Sequence, residues 1–184
     1  MKKILLGALV GGLIFFLCQA ASQMALNLHE PAQQYSASQD SILNYLSTHL
    51  KEGGGYMLPR PKNSANLEEV EAFTKSIQGK PWARISYYPT YKMNMGMSMV
   101  RSFLTDVLVV FLFLLLVNRF KFKTFGSIFI SALFVGIIVF ANSFYTLHVW
   151  YPSYEIRADL IDALASWGLC GLWLGWLIPD KKRY

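Results

Sequence analysis

The chain has 184 residues, of which 54% are hydrophobic and only 15% charged, and it carries a formal net charge of +6. Its apolar residues gather in long blocks with no polar face. This excludes an ordinary soluble domain and makes the blocks transmembrane candidates, since a spanning helix takes about 20 mostly apolar residues. The excess cations (Lys2 and Lys3, then Arg119, Lys121 and Lys123, then Lys181, Lys182 and Arg183) all fall on one side if four helices alternate, so they read as a topology signal and not as a nucleic-acid footprint.

The first block, Ile4–Ala21, follows the two lysines. A basic start, a short apolar run and small residues near Cys18-Gln19-Ala20 match a cleaved signal peptide. The Gly7-to-Gly11 GxxxG spacing, echoed by Ala8 and Gly12, favours a retained helix over residues 1–22, because it gives one helix face on which a neighbour can approach closely.

Residues 23–97 are polar and are expected on the side opposite the cations, as a small α+β extracytoplasmic domain. Ser38 is placed to cap a helix with Ile42, Leu43, Leu46 and Leu50 on one stripe, stopped by Gly53-Gly54-Gly55, with Tyr56–Leu58 extended before Pro59. A second helix is expected from Leu67, capped by Asn66 with Glu69 as its reciprocal partner and stopped by Gly79. After Pro81 the run Trp82–Tyr88 alternates like a strand. The core this offers is small.

Four of the seven methionines follow at every second position, Met93, Met95, Met97 and Met99. Thioethers are soft ligands that select Cu(I), and in an extended chain all four would share one face. In a helix only the pairs Met93/Met97 and Met95/Met99 align, and flexible apolar packing at the membrane boundary becomes the better reading. Residues 98–184 then supply three spans: a second helix from about Met99 to Val117, a third over Phe125–Leu147 and a fourth over Ala163–Ile178. Phe144, Tyr145, Trp150, Tyr151 and Tyr154 form an interfacial aromatic belt. Gly171 and Gly175 make another GxxxG, so helices one and four are expected to pack most closely.

Arg101 and Asp106 on the second span, with Asp159 and Asp162 at the start of the fourth helix, form an intramembrane polar cluster, with His29, Glu30 and His148 at a similar depth. Ionisable groups inside a membrane are functional candidates because leaving one unpaired costs about 3 kcal/mol or more. The structural reading is an Arg101–Asp162 or Arg101–Asp106 pair, and the functional one is a proton or ion relay. Cys18 and Cys170 lie within spans and show neither disulfide nor zinc spacing. No Gly-rich phosphate loop or nucleophile elbow is present, so no enzymatic activity is indicated.

Several dispersed segments carry a resemblance: KKILLGALVGGLIFF from Lys2, MALNLH from Met24, QDSIL from Gln39, GYMLP from Gly55, GKPWARISYYP from Gly79 and WYPSY from Trp150. Together they resemble a family of short bacterial inner-membrane proteins with four spanning helices and no established function. The methionine run is not among the residues that carry it. The resemblance implies an inner-membrane location with a retained first helix, four spans and an outward domain, while the placement of the cations sets both termini in the cytoplasm. The expectation is therefore a mainly α, four-transmembrane-helix bundle that works by interaction, as an accessory or complex subunit, with a membrane-protein partner or a second copy of itself. A small ion-coupled transporter and a copper-binding or sensing module are the alternatives.

Overall fold

The computed structural model describes residues 1–63, 65–121 and 123–179, and these form two compact units. The first comprises residues 1–34 with the described residues from 94 onward, and the second is Tyr35–Met93. Lys181, Lys182 and Arg183, which the charge argument sets beside the other basic residues, lie outside the described residues.

The first unit is built on four helices long and apolar enough to cross a membrane: Lys2–Ala25, Met95–Val117, Phe125–Trp150 and Ile156–Leu177. Within them, α1 (Lys2–Ala20) runs on into a π-helical turn at Ala21–Ala25. Further along lie α4 (Met95–Val117) and α5 (Phe125–Val139). A second π-helical turn, Phe140–Tyr145, joins α5 to α6 (Thr146–Trp150), and α7 (Ile156–Leu177) follows. Both α4 and α7 lie against α1, while the principal partner of α5 is α7. Neighbours run antiparallel: Gly7 of α1 faces Leu114 and Leu174, and Gly11 faces Val110 and Cys170.

The fully buried side chains, Val110, Leu114, Val117, Ile128, Cys170 and Leu174, line the seams between these helices. The opposite faces are exposed and equally apolar, with Leu5, Leu9, Leu13 and Leu17 of α1 forming an outward row at four-residue spacing. A helix that is hydrophobic all round suits a lipid surrounding. At the end where α1 begins, the Lys3 ammonium donates to the Leu177 carbonyl at 3.1 Å, placing a cation on the last turn of α7.

The glycine faces are used differently from the expected pairing of helices one and four. A Cβ on Gly12 would lie 2.7 Å from the Val107 backbone, so the second close approach of α1 is to α4. Gly171 faces Ala132 and Phe129, and Gly175 faces Phe125, so the GxxxG face of α7 is turned to α5. The reason is angular: the α7 face that meets α1 is already occupied by Cys170 and Leu174.

The second unit contains α2 (Gln39–His49), β1 (Gly54–Leu58), α3 (Leu67–Ile77) and β2 (Ala83–Tyr87). The strands pair antiparallel, with Tyr56 opposite Ile85. Asn66 caps α3 by accepting from the Glu68 and Glu69 amides, whereas Ser38 makes no side-chain cap on α2. Tyr87 is buried, while Ile42 and Leu43 of the α2 stripe stay at least half exposed.

Candidate functional site

The polar residues of the first unit converge where α1 ends. After the π-helical turn, Asn27 takes a left-handed backbone (φ +49°), a conformation Asn tolerates better than most residues, and the Leu28 amide reaches back to the Ser22 carbonyl at 3.0 Å. The chain doubles back and lays His29 against the first half of α7. There Glu155, Asp159 and Asp162 stand at i, i+4 and i+7, a spacing that puts all three carboxylates on one face. Glu155 at the N-cap and Asp159 in the first turn stand where the helix dipole favours negative charge.

His29 is buried and bridges two of them, Nδ1 to Glu155 Oε2 at 2.9 Å and Nε2 to Asp162 Oδ2 at 3.0 Å. Ionised carboxylates only accept, so both ring nitrogens must donate, and this geometry belongs to the imidazolium. Burial works against the charge. The hydrogen bonds from Asp162 and Glu155, with the negative charge of both, outweigh burial and hold His29 above its ordinary value.

Beside this bridge lies a cavity of about 320 Å³ between α1, α7 and the far end of α5. Its apolar wall is Phe15, Val139, Phe144, Ala163 and Trp167, and its polar wall is Gln19, Gln23, His29, Asp159, Asp162 and Ser166. Trp167 is held between Phe15 and Phe113 in edge-to-face contacts, with centroids 5.0 and 5.3 Å away. Each π-helical turn contributes one lining residue, Gln23 from the first and Phe144 from the second.

Gln19 connects the cavity to the α1–α4 seam. Its Nε2 donates to Asp106 Oδ1 at 3.0 Å, and its Oε1 accepts from Ser102 Oγ at 3.2 Å. Asp106 is buried, and its Oδ2 has no hydrogen-bond partner among the described residues.

The expected ion pairs of Arg101 are not formed. Arg101 is exposed and makes no salt bridge among the described residues. Five helical positions separate it from Asp106, which turns the two side chains about 140° apart at roughly 100° per residue. Its other expected partner, Asp162, is held by His29 instead. The intramembrane cluster therefore divides: Asp159 and Asp162 line the cavity, Asp106 sits with Gln19 and Ser102, and Arg101 stands apart. His148 accepts from the Ser153 amide at 2.9 Å and stacks near Tyr145, serving its own loop.

The methionines do not form a shared face. Asn94 accepts from the Met97 amide and starts α4 at Met95, so Met95, Met97 and Met99 are helical and Met97 diverges from the other two. Met93 belongs to the second unit, where its Sδ accepts from the Tyr91 hydroxyl at 3.5 Å. All four side chains are about half exposed or more and take no part in the buried core. Among the described residues no group of three or more His, Cys, Asp or Glu side chains is arranged to hold a metal ion.

The sequence pointed to Asp159 and Asp162 but missed Gln19 and the part played by Glu155. The signal for Glu155 was present in its seven-residue spacing from Asp162. Gln19, inside an apolar block between Cys18 and Ala20, could have been singled out as the lone amide of that helix's central run. No family model, no curated protein and no solved structure matches the chain.

Proposed function

We propose that the chain is an integral membrane protein whose work is done in the cavity at the end of α1, where it binds a small ligand in linkage with a proton. The observation that carries this reading is the double use of Asp162, which forms part of the cavity wall and is also one of the two acceptors that hold the His29 imidazolium. A cation entering the cavity competes with the charged His29 for that carboxylate, so occupancy favours proton release and protonation disfavours occupancy. Such reciprocity is a thermodynamic requirement of two events sharing one group. It is also what an ion-coupled transporter needs, with His29 joining Asp162 in a role first sought in Arg101, Asp106 and Asp162 together.

The accompanying topology follows the positive-inside rule: both termini and the Arg119–Lys123 link cytoplasmic, residues 23–97 outside, in a bacterial inner membrane. A retained α1 is supported by its place against both α4 and α7, where it covers Val110, Leu114 and Leu174. A second reading, an accessory or complex-subunit role, is supported by the exposed Ile42, Leu43 and Tyr45 on α2. The glycine faces no longer argue for it, because they are taken up inside the chain.

The test is a thermal-shift screen of the full chain in detergent against small ammonium ions, alcohols and carboxylates at pH 6 and pH 8.5. Val139→Phe, at an exposed position on the cavity wall, serves as the blocked control. The expected result is at least one compound that stabilises the native chain but not the blocked variant, with a stronger effect at pH 8.5. If no compound separates the two proteins, the cavity is not the working site.

A further inference from the structure

Resting on the reading of the cavity as a ligand site, we infer that its ligand is an organic cation, an ammonium group carrying an aromatic or branched-alkyl body. The charge inventory of the wall comes first. His29 supplies one positive charge, and both its nitrogens are committed to Glu155 and Asp162. Asp159 has no hydrogen-bond or ion-pair partner among the described residues, although it is partly buried and lines the cavity. Asp162 uses Oδ2 for His29, leaving Oδ1 without a hydrogen bond. Arg157, the cation nearest in sequence, lines a separate groove with Leu28, Pro31 and Tyr154. The cavity wall thus holds two carboxylates against one imidazolium, and a third carboxylate, Glu155, stands behind that imidazolium.

The rest of the wall limits which cation can answer that charge. A bare metal ion needs several converging ligands, and no group of three or more His, Cys, Asp or Glu side chains is arranged to hold one among the described residues. A cavity of about 320 Å³ would hold on the order of ten waters at roughly 30 Å³ each, far more room than an inorganic ion fills. The remaining lining is Phe15, Phe144, Trp167, Val139 and Ala163, and aromatic faces attract a cation through their quadrupole, Trp most strongly. An ammonium group set between Asp159 and Asp162, with its hydrocarbon body against the aromatic wall, satisfies both halves of the lining. A carboxylate ligand would meet like charge, and a neutral one would leave Asp159 without a counter-charge.

Three probes of one size decide the matter: phenylpropylammonium, phenylpropanol and phenylpropionate, titrated by calorimetry against the full chain in nanodiscs at pH 8. The ammonium is expected to bind at least tenfold tighter than the alcohol, and the carboxylate weakest. Asp159→Asn is expected to reduce the preference for the ammonium at least threefold. Asp162→Asn should do the same and also alter the proton uptake or release that accompanies binding. The Asp159 side chain makes no hydrogen bond or ion pair among the described residues, so its variant tests the charge even if Asp162→Asn fails to fold. Equal or tighter binding of the alcohol or carboxylate, blocked by Val139→Phe, would overturn the ligand class and leave the cavity reading standing. Binding of none of the three by a folded chain would overturn both.

Discussion

His29 donates to two acceptors that have no proton to offer in return, so removing its own proton breaks one hydrogen bond and sets a lone pair against a carboxylate. Its folded-state pKa is raised, which means the bridge stabilises the fold in full below the ordinary histidine value of about 6.5. That contribution is lost as pH climbs through the raised value. Hydrogen bonds to a charged group contribute on the order of 1–3 kcal/mol. The Glu155 arm, about a third open to solvent, is discounted, so most of the effect belongs to Asp162. Melting temperatures recorded between pH 6 and pH 9 should fall with rising pH in the native chain and vary much less in His29→Gln. Parallel pH curves for the two proteins would show that the bridge does not carry this dependence. At this scale the sequence was only partly legible. Charged residues in apolar blocks stand out, which brought Asp106, Asp159 and Asp162 forward. Their partners did not stand out, because pairing depends on angles around helices and on a chain reversal at Asn27 that composition does not encode. Arg101 shows the error in a single residue: it lies close to Asp106 in sequence and is rotated away from it in space.

Among the helices, the close approaches decide which glycines matter. A side chain at Gly12 meets the Val107 backbone at 2.7 Å and has nowhere to move it, whereas nothing lies within 4 Å of a Cβ at Gly126. Gly12→Leu should therefore force α1 from α4, costing about 1–3 kcal/mol or more by overpacking. Gly126→Ala should be neutral or stabilise by up to about 1 kcal/mol through helix propensity. Denaturation in a mixed-detergent series distinguishes them, and equal stability of the two variants would sink the packing account. The four helices were legible as elements because a long apolar block is itself the signature of a helix long and apolar enough to cross a membrane. Their ends were less so. The charge-free run of the last span was read from Ala163, with Asp159 and Asp162 at the start of that helix, and α7 begins at Ile156 ahead of both, because the carboxylates share one face and do not interrupt the helix. The second span was read from about Met99 and starts at Met95, fixed by the Asn94 cap.

The two compact units divide the chain at Tyr35 and Asn94, not at residues 23 and 98. The shift at the first boundary has a physical cause: residues 23–34 are bound to the helix unit through His29. The charge distribution sets an expectation for the whole molecule. In intact cells a membrane-impermeant maleimide should label Lys62→Cys and spare Arg119→Cys, and the reverse pattern would invert the topology and put the cavity on the other side. The strands and α3 of the second unit were foreseen because capping and alternation are local signals. The π-helical turns at Ala21–Ala25 and Phe140–Tyr145 were not, because each depends on packing around one residue more than an α-helix needs. That surplus residue has a genetic consequence. A single-codon deletion at Gln23 that restores regular winding leaves the chain after it facing nearly as before, because five π-helical residues turn through about as much as four α-helical ones, and it removes a polar lining residue of the cavity. The consequence of losing a residue from either turn is thus local: it falls on the lining residue that the turn supplies, Gln23 or Phe144, and leaves the helices on both sides facing nearly as before.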